Sequence, residues 1–309
     1  MGGAEMRRPI QGTTEMERLL QDRKTIALFV LPALLLYLAM FMYPILQTFR
    51  YSLFRWNGIT AMQWLGASNY RQILTSDRHF WRGVRNTLYI LVLLFTTQVP
   101  PALLIAILLN RITRGVRILK IVYFIPFLLS TVALAMMWSK IYEPNYGLLN
   151  ELLAGFGLHE WQSEWLSNPD TAIWFAAIPI SWQGIGFHMV VLYAAIKSIP
   201  SQYYEAALID GATGFMAETR ITIPLIADAL KVCFTMAAIA SLKSFDAIWV
   251  LTGGGPANST TTVAIRMYQE AFTRNNYGYG SAIAILLLLE CLIIAFFLDK
   301  LLSRERIEY

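Results

Sequence analysis

Apolar positions gather into six long runs, at about 25–49, 87–109, 121–141, 171–196, 232–251 and 281–302. Each is close to the ~20 residues that a helix needs to cross a bilayer. Continuous runs of this length predict membrane helices rather than the one-sided stripes of a soluble bundle. Pro32 and Pro44 fall inside the first run, where a membrane helix tolerates them. Pro100 and Pro101 predict a kink in the second. Between the first two runs, Trp56, Trp64, Tyr70, Phe80 and Trp81 have the aromatic density of a headgroup-level belt.

Six spans place both chain ends on one side, and basic residues choose that side. Segments 1–24, 110–120, 197–231 and the C-terminal end carry fifteen Lys/Arg, against eight in the segments that alternate with them. Residues 142–171 hold five acids and no Lys or Arg. The positive-inside rule therefore puts the N-terminal tail 1–24, loops 110–120 and 197–231, and the tail 303–309 in the cytoplasm. The six arginines between Arg50 and Arg85 run against this, but short loops weigh most in the rule. Thr14 and Glu17 have capping-box spacing for a surface helix in the first tail, with a disordered cationic tail as the alternative.

Composition agrees. The 309 residues are 56% hydrophobic and 15% charged, far from soluble averages. The net charge of +5 belongs to loop lysines and arginines, with no separate basic patch for nucleic acid. Cys233 and Cys291 lie in apolar runs, and no Cys/His spacing suggests a metal site. The three histidines are scattered over different segments, which offers no catalytic constellation.

The exceptional stretch is the polar island within 197–231. Ser201 is placed to cap a helix through Glu205, Ala206, Ala207, Leu208, Ile209 and Asp210, ending at Gly211. A second short helix is expected from Thr213 through Arg220, and Pro224 precedes the return to the membrane. Adjacent alanines with an exposed acid suit a helix seated in a partner's groove, and a solvated hairpin without a partner has the same local pattern.

The spacing Glu205-Ala206-Ala207, Gly211, Ile221, Ile223-Pro224 resembles the cytoplasmic signature of permease subunits of binding-protein-dependent ATP-binding-cassette importers. Only Ile223, in place of leucine, departs from it. Phe245-Asp246 followed by Leu251-Thr252-Gly253-Gly254-Gly255-Pro256 is similar to the carbohydrate branch of that family (maltose-, glycerol-phosphate- and lactose-type). The glycines lack the Gly-Lys-Ser/Thr of a phosphate loop and read as a tight turn. The resemblance covers about 25–302 and implies an all-α, six-span type I importer permease.

It further implies that the loop 201–224, through Glu205, Ala206, Ala207, Leu208, Asp210 and Gly211, docks on a separate ATPase. That ATPase would use ATP and Mg; this chain would bind no cofactor. The other implied partners are a second, non-identical permease, a second ATP-binding subunit, an external solute-binding protein and a sugar. The setting is a bacterial or archaeal plasma membrane.

A sugar site needs aromatic faces for the ring and a few polar groups for the hydroxyls. The resemblance carries substrate contact to Trp182, Gln183, Gly184 and Phe187 in the fourth span, and to Ser241 and Ser244 in the fifth. Packing is the other reading for the aromatics, and close helix contact for Gly184 and Gly186. Lys243 and Asp246 have i,i+3 spacing for a pair. His188 suits a hydrogen-bonded helix contact. A proton-coupled carrier is the rival class, and it predicts transport sensitive to uncouplers and indifferent to an ATPase.

Overall fold

The computed structural model describes residues 23–302. The Thr14–Glu17 capping box, most of the N-terminal tail and the tail 303–309 lie outside them.

The chain opens with α1 (Arg23–Tyr37), which passes through a π-helical turn (Leu38–Met42) into α2 (Tyr43–Ser52). A two-residue hairpin follows, with β1 (Phe54–Arg55) antiparallel to β2 (Gln63–Trp64) and Phe54 opposite Trp64. The surface helix α3 (Ser68–Ser76) leads to α4 (Arg78–Thr97) and α5 (Val99–Arg111). These two form one 34-residue span, so the second crossing begins nine residues before the apolar run does. Asp77 sets that start, its side chain accepting from the backbone N–H groups of His79 and Phe80. The Pro100–Pro101 pair falls in the first turn of α5, where missing N–H groups cost little.

The third apolar run is two helices, α6 (Val116–Leu128) and α7 (Thr131–Ile141), bent by 94°. This corrects the expectation of a continuous span. The chain leaves the helix at Leu129 and Ser130, both extended, three residues after Pro126. After α8 (Leu148–Gly155), the fourth run is unbroken as α9 (Ala172–Lys197). The signature loop contributes α10 (Ser201–Ile209), α11 (Phe215–Ala217), a π-turn (Glu218–Thr222) and α12 (Ile223–Leu225). The fifth run is also divided: α13 (Ala227–Leu242) stops at residues 243–245 before α14 (Asp246–Thr252). The segment Phe215–Leu225 meets α13 at 72°. Then come α15 (Val263–Tyr268), a π-turn (Gln269–Thr273) and α16 (Tyr277–Leu302).

Among the described residues four helices are long and apolar enough to cross a membrane, or up to six spans if each bent pair counts as one. The core is the seam where α9 packs against α4, α5 and α6, with α13 and α14 closing it. Ala102, Ala106, Ala176 and Ala237 are completely buried there. Small residues bring backbones close, which is how helices gain contact where lipid supplies no hydrophobic drive. From Ile26 onward α1 is exposed, as expected of a helix meeting lipid or another subunit.

Ion pairs and hydrogen bonds mark the two ends of the bundle. At one end Arg111, the last residue of α5, pairs with Glu218 of the signature loop at 2.9 Å, and Lys231 pairs with Asp299 at 2.6 Å. At the other, Arg82 donates to the Ala257 carbonyl, and the N–H of Gly278 to the Trp56 carbonyl. The Lys231–Asp299 pair places the last turn of α16 at the signature-loop end.

Candidate functional site

Two groups of residues stand out: the signature loop, and a set of polar and aromatic side chains along α9 and its neighbours.

The first turn of α10 holds Tyr203 and Tyr204, which pack against the core, with Tyr204 Oη 3.0 Å from Thr222 Oγ1. Pro200, not Ser201, is the residue that caps the helix, and it makes no side-chain cap bond. Gly211 ends it with φ of +76°. The N–H of Ala212 donates to Ala207 O at 2.8 Å, and that of Gly211 to Leu208 O at 3.2 Å. This is a Schellman closure, which calls for a left-handed residue at Gly211. The second short helix starts after Gly214 rather than at Thr213. Ala207 turns inward, whereas Glu205, Ala206, Asp210 and Gly211 are exposed. Around them Leu208, Ile209 and Phe215 are 66%, 87% and 81% exposed. The loop therefore presents open apolar side chains while Tyr204 and Arg111 tie it to the rest of the chain.

In α9, Trp182 is 38% exposed and meets Trp138 of α7 edge to face, with ring centroids 6.0 Å apart. Gln183 Nε2 donates to the Leu129 carbonyl at 2.9 Å, satisfying a group freed where α6 gives way to α7. Phe187 stacks on Phe127 at 5.0 Å. These three side chains therefore line the bend of the third crossing. Gly184 lies against Gln98, and a Cβ there would fall 1.6 Å from Gln98 Nε2. At Gly186 a Cβ would fall 2.0 Å from the Tyr123 carbonyl oxygen. Close helix contact accounts for both glycines.

Ser241 and Ser244 are buried. Ser241 Oγ donates to Ala238 O, and Ser244 Oγ to Ser241 O at 2.6 Å. They stabilise the break at residues 243–245, where Thr262 Oγ1 also donates to Ser244 O. Lys243 and Asp246 are exposed beside this break, and no ion pair among the described residues joins them. His188 is buried, and its Nδ1 has no hydrogen-bond partner, contrary to the expected helix contact.

Sequence reading missed two features. Trp138 buries an indole N–H with no partner beside Trp182, and only its place in an apolar run near Ser139 and Lys140 hinted at it. The second is a charged cluster at the far end of the bundle. Arg266 bonds Asp77 at 2.8 Å and Glu270 at 2.6 Å, Glu270 also bonds Arg274, and Tyr279 Oη donates to Asp77 at 2.9 Å. The i,i+4 ladder Arg266, Glu270, Arg274 was legible in the sequence. Burial disfavours charge on Asp77, but hydrogen bonds from Arg266 and Phe80 and the guanidinium charge outweigh it. They hold the carboxyl below its ordinary value.

Residues 73–307 match the family described as binding-protein-dependent transport system inner membrane component. A probable ABC transporter permease of Pyrococcus horikoshii is 37% identical over 274 residues, 88% of this chain and 94% of that one. The multiple sugar-binding transport system permease MsmF of Streptococcus mutans is 31% identical, covering 84% and 88% of the two chains. The trehalose/maltose transport system permease MalF of Thermococcus litoralis is 34% identical, covering 84% and 87%. A bacterial alginate ABC transporter, solved with a periplasmic protein bound to alginate pentasaccharide, superposes with a TM-score of 0.80 at 22% identity, covering 95% and 97%. That likeness fixes the fold as the type I ABC importer permease. The chain belongs to the binding-protein-dependent transport system inner membrane components. It is a multi-pass membrane subunit of a transporter, and not an enzyme.

Proposed function

We propose that this chain is one permease half of an ATP-driven sugar importer in a bacterial or archaeal plasma membrane. In this reading the bent pairs are the third and fifth of six crossings, and both chain ends and the signature loop face the cytoplasm. The observation that carries the coupling is the exposed cluster of Leu208, Ile209 and Phe215 around Glu205 and Gly211, at a loop fixed to the bundle by Tyr204 and Arg111. A firmly anchored apolar surface of this kind transmits force from a partner. That partner is an ATPase which binds and hydrolyses ATP with Mg; this chain holds neither. A second, non-identical permease, a second ATPase subunit and an external solute-binding protein complete the complex.

Sugar as cargo is supported by the relatives named for sugar transport, MsmF and MalF. The aromatic surface at the α6–α7 bend supports it as well. Trp182 and Phe187 offer ring faces, and Gln183 a carboxamide. Gly184 clears the way for Gln98, and Ser241 and Ser244 hold the neighbouring break.

The test is co-purification of the ATPase subunits with Glu205→Arg and Gly211→Val variants. Full membrane yield with lost ATPase retention and lost ATP-driven uptake is the expected result. Retention and uptake at the parent level would refute the coupling role. Sugar-stimulated ATP hydrolysis by the assembled complex tests the cargo separately.

A further inference from the structure

At the end of the bundle opposite the signature loop, a cavity of about 460 Å³ opens between α4, the start of α9 and the turn that follows α14. Its floor is structural. Asn86 Nδ2 donates to the carbonyls of Ser259 and Thr261 at 2.6 and 2.8 Å, and Arg82 donates to Ala257 O at 2.9 Å. Its wall is a three-layer stack, with the Arg85 guanidinium 5.7 Å from the Tyr89 ring centre and Tyr89 stacked on Trp174 at 5.2 Å. A guanidinium lying over a ring keeps its edge N–H donors free for a bidentate acceptor. Arg78, Arg82 and Arg85 share one helix face, and none of the ion pairs among the described residues includes them. Ser259 Oγ is buried at the same cavity with no partner. Asp170 lines it too, opposite in charge to the arginines.

Below this polar mouth the surface turns apolar. Tyr89 and Trp174 are each 38% exposed, and Leu88 and Val92 are 42% and 58% exposed. Arg85, Tyr89 and Val92 form one continuous stripe down α4, at i, i+4 and i+7. A headgroup pocket that runs straight into an exposed apolar strip has the shape of an amphiphile, not of a soluble anion. These arginines are also part of the basic segment 50–85 that runs against the positive-inside rule, so they have a use other than orientation.

We propose that this cavity binds an anionic phospholipid of the phosphatidylglycerol type. The arginines take the phosphodiester, Asp170 and Ser259 take headgroup hydroxyls, and an acyl chain lies along Tyr89, Trp174 and Val92. Asp170 disfavours a bare phosphomonoester, because that headgroup has no hydroxyls to offer it. The proposal needs only that the chain spans a bilayer, so it stands or falls apart from the sugar reading.

The experiment is native mass spectrometry of the full-length, detergent-solubilised chain titrated with phosphatidylglycerol, phosphatidylcholine or phosphatidic acid. The parent is expected to prefer phosphatidylglycerol over phosphatidylcholine, with about five-fold of that preference lost per arginine replaced. Arg85→Gln should show that loss. The Arg85 side chain is exposed, and unchanged elution on size exclusion checks the fold. Asp170→Asn should shrink the preference over phosphatidic acid. Arg114→Gln with Arg117→Gln, at the other end of the bundle, should change nothing. Full preference in Arg85→Gln, or loss only in the Arg114/Arg117 variant, would overturn the proposal. Displacement of the lipid by equimolar inorganic phosphate would overturn it too, since it would mark a soluble-anion site.

Discussion

Gly186 and Gly184 differ in what a methyl group would strike. At Gly186 it would meet the backbone carbonyl of Tyr123, which cannot turn aside; at Gly184 it would meet the end of the Gln98 side chain. Gly186→Ala is therefore expected to destabilise the solubilised protein by about 1–3 kcal/mol, the usual cost of overpacking, and Gly184→Ala by less. Thermal unfolding in detergent checks the order, and equal melting temperatures for both variants would contradict it. Asp77 gives a pH prediction. Its carboxyl titrates below the ordinary range in the folded chain, so the stabilisation is complete above the unfolded-state value of about 4 and disappears as pH falls through the lower, folded value. Melting temperature should drop on acidification in that window for the parent, and by less for Asp77→Asn. Parallel curves would mean that Asp77 contributes nothing.

At the scale of elements, the long helices follow directly from the apolar runs, and α9 falls within a residue or so of its expected ends. The bends do not. Mean hydropathy is blind to direction, so a run of 21 apolar residues looks alike whether straight or folded by 94°. Pro126 and the Ser130–Thr131 pair were the only local signs, and the tertiary tie from Gln183 to Leu129 was beyond sequence reach. The signature loop was legible because its Gly211 spacing reflects a backbone requirement, a left-handed closure, that few residues meet. The trimmed roles of Ser241 and Ser244 were not legible, because self-capping at a helix break leaves no pattern distinct from a polar lining. Gln183→Leu removes the bond to Leu129 while keeping the volume. It should alter uptake while leaving assembly of the complex intact, measured by subunit co-elution. Loss of assembly would assign Gln183 to the scaffold alone.

For the whole molecule, the paired contacts sort the elements to two opposite ends of the bundle. Arg111–Glu218 and Lys231–Asp299 lie at one end, Arg82–Ala257 and Asp77–Arg266 at the other. In a background lacking Cys233 and Cys291, a membrane-impermeant thiol reagent should label Glu160→Cys in intact cells, and Phe215→Cys only after permeabilisation. The reverse pattern would invert the orientation. The tertiary contacts say which elements share an end, and the thiol labelling decides which end the basic residues face.

The unbroken α9 has a mechanical consequence. Its 26 residues make a rod about 39 Å long, held close to its neighbours near the middle by Gly184 and Gly186 and joined to α10 through only residues 198–200. A rod held at its middle and pushed at one tip swings at the other: a tilt of about 5° displaces the far tip by about 1.7 Å. The neighbouring crossings are jointed at residues 129–130 and 243–245, so they can fold at their elbows while the rod does not. In the proposed coupling, one lever arm flanked by two broken crossings would turn a small push on a surface loop into a change of shape at the opposite face.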